Sequence, residues 1–145
     1  ISDGASALVL TRRDEAERRG LAVKARILGH STHSQHPSEF TLAPIGAIDS
    51  LMKRLEWTTE DVDLFEINEA FAVVTLLAMD AHDIPHDKVN VFGGACAQGH
   101  PVGSTGSRII VTLINALERR GKKRGIAALC IGGGEATAIA VELEG

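Results

Sequence analysis

The chain has 145 residues, 44% of them hydrophobic and 23% charged, enough apolar material for one folded core and unlike a disordered segment. Its net charge of −4 and pI near 5.8 provide no dominant basic surface, which excludes nucleic acid and anionic membranes as default partners. No transmembrane run or signal peptide is visible, and the two cysteines, Cys96 and Cys130, form neither a disulfide framework nor a metal-ligand spacing; reduced thiols in a cytoplasmic setting are the expectation.

The sequence starts at Ile1, without a methionine, so it is expected to be part of a longer chain. Ala5 to Leu10, small and apolar, reads as a strand, and Asp14 to Arg19 as a short helix stopped by Gly20. Val23 to Leu28 reads as a second strand, followed by a polar loop from His30 to Phe40. Ile45, Ile48, Leu51, Met52 and Leu55 recur at helical spacing, and Thr58 with Asp61 is placed to cap a turn. Leu64 to Ile67 is a short strand, and the next helix is expected to bury Phe71, Val74 and Leu77 or Ala78. Val89 to Phe92 reads as a strand running into Gly93-Gly94. A long helix then shows Ile109, Ile110, Leu113, Ile114 and Leu117 as its inward stripe and ends near Gly121 among cations that suit a helix C-terminus. The continuous apolar run Ile126 to Ile131 fits a strand covered on both faces. After Gly132-Gly133-Gly134, Ala136 to Val141 reads as its antiparallel partner. The pattern, of βαβαβαββ type, predicts one α/β domain over residues 1–145, a mixed sheet flanked by helices.

In three places a strand gives way to glycine or a small polar residue: Asn68-Glu69-Ala70-Phe71, Gly99-His100-Pro101 and Cys130-Ile131-Gly132-Gly133-Gly134. Strand ends of a mostly parallel sheet line up on one edge, where ligands bind. There an imidazole, a thiol, an amide and glycine N–H groups supply a base, a second acid/base and oxyanion donors, a kit suited to acyl chemistry. Each residue alone also has a plainer reading. His100 could be an ordinary histidine beside a turn, Cys130 a small buried hydrophobe, Asn68 a helix N-cap, Glu69 a first-turn acid and Phe71 a core residue. His30, His33 and His36 lack partner ligands, so no metal site is expected.

Taken together, the three motifs resemble the C-terminal signatures of thiolases. They are Asn68 to Phe71, the run Gly93-Gly94-Ala95-Cys96-Ala97-Gln98-Gly99-His100-Pro101-Val102-Gly103-Ser104-Thr105-Gly106-Ser107-Arg108, and Cys130 to Gly134, with Ser2-Asp3-Gly4-Ala5 similar to a further thiolase segment. The resemblance implies a thiolase-like C-terminal domain, with residues 1–11 a strand of a preceding N-terminal domain. It implies reversible Claisen condensation of acyl-CoAs, or thiolysis of 3-ketoacyl-CoA, by a ping-pong route. His100 would deprotonate a nucleophilic cysteine and contribute to an oxyanion hole, and Asn68 would hold the water that completes it. Cys130 would move the α-proton of acetyl-CoA, the Gly132 N–H would serve a second oxyanion hole, and Ala70 and Phe71 would border pantetheine and acyl groups.

The implied partners are acyl-CoA and CoA as substrates, with no separate cofactor, an N-terminal thiolase half, and further copies in a homodimer or homotetramer. The family's nucleophilic cysteine belongs to a motif with no counterpart here, and Cys96 is not assigned that role. Gln98 also departs from the family pattern. An alternative is a non-catalytic, stand-alone module that binds a CoA ligand or a protein. A ketoacyl synthase is disfavoured, because those enzymes typically use a second histidine where Cys130 stands.

Overall fold

A computed structural model describes residues 1–144. It contains helices α1 (Arg13–Arg18), α2 (Ala43–Leu55), α3 (Ala72–Ala81), α4 (Ala95–Gln98) and α5 (Thr105–Arg120), and strands β1 (Ala25–Ser34), β2 (Leu64–Ile67), β3 (Arg124–Ile131) and β4 (Glu135–Leu143). The strands form one sheet in the order β1-β4-β3-β2. β4 runs antiparallel to both β1 and β3, while β2 and β3 are parallel, so the sheet is mixed as the alternation of elements requires.

Strand alternation sends successive side chains to opposite faces and divides the core into two layers. Phe65 and Ile67 of β2, with Ile126 and Ala128 of β3, pack against Ile48, Leu51 and Met52 of α2. Leu64 and Ala127, with Val141 of β4, pack against Ile109, Leu113 and Leu117 of α5. Gly125 lets α5 approach closely, since a Cβ there would meet the Leu113 side chain at 2.7 Å. Helices α2 and α5 both end at a residue in the left-handed region, Glu56 and Gly121. Thr58 and Asp61 form the expected reciprocal cap.

Four sequence expectations are corrected. Ala5 to Leu10 joins no ladder among the described residues, and its N–H and C=O groups are left without strand partners there. The polar stretch after Leu28 is not all loop: β1 continues through Ser34, pairing His30 with Ile139 and Ser34 with Glu135. As an edge strand it tolerates polar residues, and Ser31 turns its hydroxyl inward to the Ala47 carbonyl at 2.6 Å.

Val89 to Phe92 makes a single bridge, Val89 to Phe65. Asn90, at φ 46°, then turns away, and its side-chain amide exchanges two hydrogen bonds of 2.9 Å with the Ile67 backbone where a strand would have continued. Phe71 is not in the core. It stands before the first turn of α3 with extended backbone and 60% exposure, while Val74 and Ala78 are buried and Leu77 is half-buried.

Candidate active site

Asn68 follows β2, and its backbone N–H extends the ladder to the Ala128 carbonyl of β3 at 2.9 Å. Because α3 begins only at Ala72, Asn68 does not cap it. Its side chain is instead buried, 1% exposed, with Nδ2 3.5 Å from His100 Nε2. The Asn68 Oδ1 is buried without a protein partner, an orientation that leaves one acceptor for a group brought to the site. Glu69 is no helix-cap acid either. Its carboxylate accepts from the Cys96 N–H at 2.8 Å and from Asn90 Nδ2 at 3.1 Å, and it packs against Gly94, where any Cβ would collide with it. Glu69 thereby ties the turn carrying His100 to the end of β2.

His100 sits half-buried before α5, with Nδ1 2.7 Å from the Thr105 hydroxyl oxygen. The N-terminal segment lies across the same turn. The Ser2 N–H donates to the His100 carbonyl at 3.3 Å, Gly4 packs on Pro101, and the Ser6 hydroxyl meets those of Ser104 and Ser107. The motif Ser2 to Ala5, although it forms no strand, is thus part of the construction around His100. Burial lowers the His100 pKa below the ordinary imidazole value, with Arg108 adding to the effect, so the neutral ring prevails at pH 7.

Cys130 lies near the end of β3, opposite Ala136 of β4, half-buried. Burial raises its pKa, and a backbone hydrogen bond opposes the shift in part. The parallel register puts Ile67 beside Ala128, so Asn68 and Cys130 lie at the same carboxyl edge of the sheet. They do not share a face. Alternation from Ile126 and Ala128 sends Cys130 to the α2 side, whereas Asn68 follows Leu64 and Glu66 on the α5 side. Among the described residues Cys130 makes no side-chain hydrogen bond with Asn68 or His100.

Beyond Cys130 the chain turns through exposed Gly132 and then Gly133 and Gly134, at φ 99° and 89°. The turn is held by the Gln35 N–H donating to the Gly134 carbonyl at 2.9 Å. Phe71 packs edge-to-face on Phe40, ring centroids 6.1 Å apart, beside Ala70. Cys96 is exposed, and its thiol pKa is raised, by desolvation first and then by Glu69. His33 bonds Gln35 and His36 bonds Ser38, separate local contacts.

Glu66, which no sequence motif singled out, and Arg108, which entered only as the last residue of the Gly93 to Arg108 run, lie on the α5 side of β2 next to the Asn68–His100 pair. Glu66 is 2% exposed and its Oε2 is 3.6 Å from Arg108 Nη1. A glutamate inside the apolar run Leu64 to Ile67 was the available signal.

The model of the thiolase C-terminal domain matches residues 21–143. The chain belongs to the thiolase family. It is 49% identical to the cytosolic acetyl-CoA acetyltransferase of Mus musculus over 98% of its own length and 36% of that protein, and 48% identical to a probable acetyl-CoA acetyltransferase of Dictyostelium discoideum over 98% and 34%. This thiolase chain therefore spans about a third of the length of the curated relatives it matches. Among solved structures it resembles the acetyl-CoA acetyltransferase of Bacillus anthracis, with TM-score 0.88 and 42% identity over 91% of this chain and 34% of that one. Human mitochondrial 3-ketoacyl-CoA thiolase gives TM-score 0.88 at 37% identity, over 91% and 33%.

Proposed function

We propose that this chain is the C-terminal catalytic part of an acyl-CoA C-acyltransferase that joins two acyl-CoAs or cleaves a 3-ketoacyl-CoA with CoA. The nucleophilic cysteine would lie on an N-terminal half outside this sequence, which would also supply the strands that pair with Ala5 to Leu10. The observation that carries the reading is the buried Asn68 amide beside the His100 imidazole at the sheet edge where Cys130 also ends its strand.

In this proposal His100 Nε2 takes the proton of the attacking thiol, which its lowered pKa permits at neutral pH. Once protonated, that nitrogen and a water held by Asn68 stabilise the oxyanion formed at a thioester carbonyl. Cys130 removes the α-proton of the second acyl-CoA, or returns it in thiolysis. A thiol with a raised pKa is a stronger base once ionised, but a thioester α-carbon yields its proton only if the enolate oxygen is held. Each such donor contributes about 3 kcal/mol to the transition state. Gly132 offers a backbone N–H to the acyl intermediate, and Ala70 and Phe71 border the pantetheine arm and acyl group. CoA thioesters are substrates here, with no further cofactor. Activity in the cytoplasm, motivated by the cytosolic relatives, and assembly as a homo-oligomer are part of the same proposal.

The test is turnover of acetoacetyl-CoA by the complete protein carrying this chain, with His100→Ala and Cys130→Ser. Each variant is expected to lose activity by orders of magnitude. Near-normal rates in both would remove the proposal and favour a binding module.

A further inference from the structure

We infer that Thr105 is a positioning residue that fixes the His100 imidazole as its Nδ1–H tautomer, keeping Nε2 unprotonated and able to take a proton in the reaction. The inference rests on the proposed role of His100 as base, and it follows from the hydrogen-bond order around the ring. The Asn68 Nδ2 amide, a donor only, faces His100 Nε2 at 3.5 Å. A donor there requires an unprotonated nitrogen, so a neutral ring carries its proton on Nδ1. Nδ1 lies 2.7 Å from Thr105 Oγ1, which must then accept, and the Thr105 hydroxyl hydrogen is directed to the Pro101 carbonyl at 3.0 Å. One hydrogen-bond direction thus runs from Asn68 to His100, from His100 to Thr105, and from Thr105 to the Pro101 carbonyl.

Thr105 itself has no solvent exposure. It opens α5 and its N–H is bound to Pro101 as well, at 2.9 Å, so the hydroxyl is held by the backbone of the turn that carries His100. Of the charged groups on the neighbouring elements, Arg108 of α5 acts on the ring, and Arg108 is itself paired with Glu66 of β2. No carboxylate competes with Thr105 for Nδ1 among the described residues. A neutral acceptor orients the ring without holding it protonated, which a carboxylate at that position would favour.

The test uses the complete protein with Thr105→Val, which keeps the shape and removes the hydroxyl, and Thr105→Ser, which keeps the hydroxyl. Thr105→Val is expected to reduce kcat about 10- to 100-fold, as loss of an orienting partner does. The acid limb of its pH–rate profile should move to lower pH, because the imidazolium loses an acceptor for Nδ1–H. Thr105→Ser should restore both rate and midpoint, and ¹⁵N spectra of the unmodified protein should show Nδ1 protonated and Nε2 bare in the neutral ring. A loss of rate with an unmoved midpoint and no rescue by serine assigns Thr105 a packing role and overturns the inference, as does an Nε2–H tautomer. Full activity in Thr105→Val while His100→Ala is inactive also overturns it and leaves His100 as base; an active His100→Ala sinks the underlying reading instead.

Discussion

The Glu66 carboxylate lies 3.6 Å from the Arg108 guanidinium inside the core, with its other oxygen and the Arg108 Nε both unpartnered. Burial outweighs the attraction of Arg108 and, with some repulsion from Glu69, pushes the Glu66 pKa from 4.5 to about 8. At pH 7 the pair is therefore chiefly a neutral acid beside a cation.

This sets a pH dependence of stability. Between pH 4.5 and about 8 the folded protein keeps a proton that the unfolded chain releases. Stability contributed by Glu66 is fully present below that window and declines as pH rises through it, with a limiting slope of ~1.4 kcal/mol per pH unit. Glu66→Gln should remove this slope. Denaturant midpoints at pH 5.5 and pH 8 are expected to fall less in the variant than in the unmodified protein. Equal falls would show that Glu66 is ionised in the folded state throughout.

Gly134 adopts φ 89°, and a Cβ there would run into the Gln35 carbonyl. Gly134→Ala should destabilise by about 2 kcal/mol or more, since both conformation and contact oppose it. The loss should appear as a lowered thermal midpoint. Gly132, where a Cβ meets nothing within 4 Å and φ is not positive, should accept alanine at much smaller cost.

Phe71→Ala should separate stability from function. With Phe71 60% exposed, its side chain contributes little to folding, and the unfolding free energy should fall by less than about 1 kcal/mol. KM for acyl-CoA in the complete protein should rise several-fold if Phe71 borders the substrate. An unchanged KM would remove it from the proposed acyl wall.

The isolated chain should self-associate. Leu10, Leu21, Val23 and Ile27, all exposed, line one groove with Ile110 and Ile114 of α5. An apolar surface of that kind seeks cover in water. Light scattering should report dimers or larger species, and a concentration-independent monomer would contradict the expectation.

Much of the architecture was legible because hydrophobic period and glycine placement report local geometry directly. The stripe Ile109, Leu113, Leu117 fixed α5 and its inward face, the run Ile126 to Ile131 fixed β3, and Gly121 marked the end of α5 in its left-handed conformation. The three motifs and their order carried the family. The errors fell where partners distant in sequence decided the outcome. His30 to Ser34 is a strand because β4 lies beside it, whereas Ala5 to Leu10 joins no ladder among the described residues. The Asn90 side chain, standing in for a backbone partner of Ile67, ended what looked like a strand.

The sequence by itself determined that an imidazole, an amide and a thiol each sit at the end of an element, since strand runs and glycine turns are local properties of the chain. Only the tertiary structure decided which of them meet. The parallel register of β2 and β3 and the Glu69 tether bring Asn68 to His100, while side-chain alternation places Cys130 on the other face of the same edge. The physical reason is that a hydrogen bond between residues 68 and 100 depends on how two layers pack, and no local pattern encodes that distance.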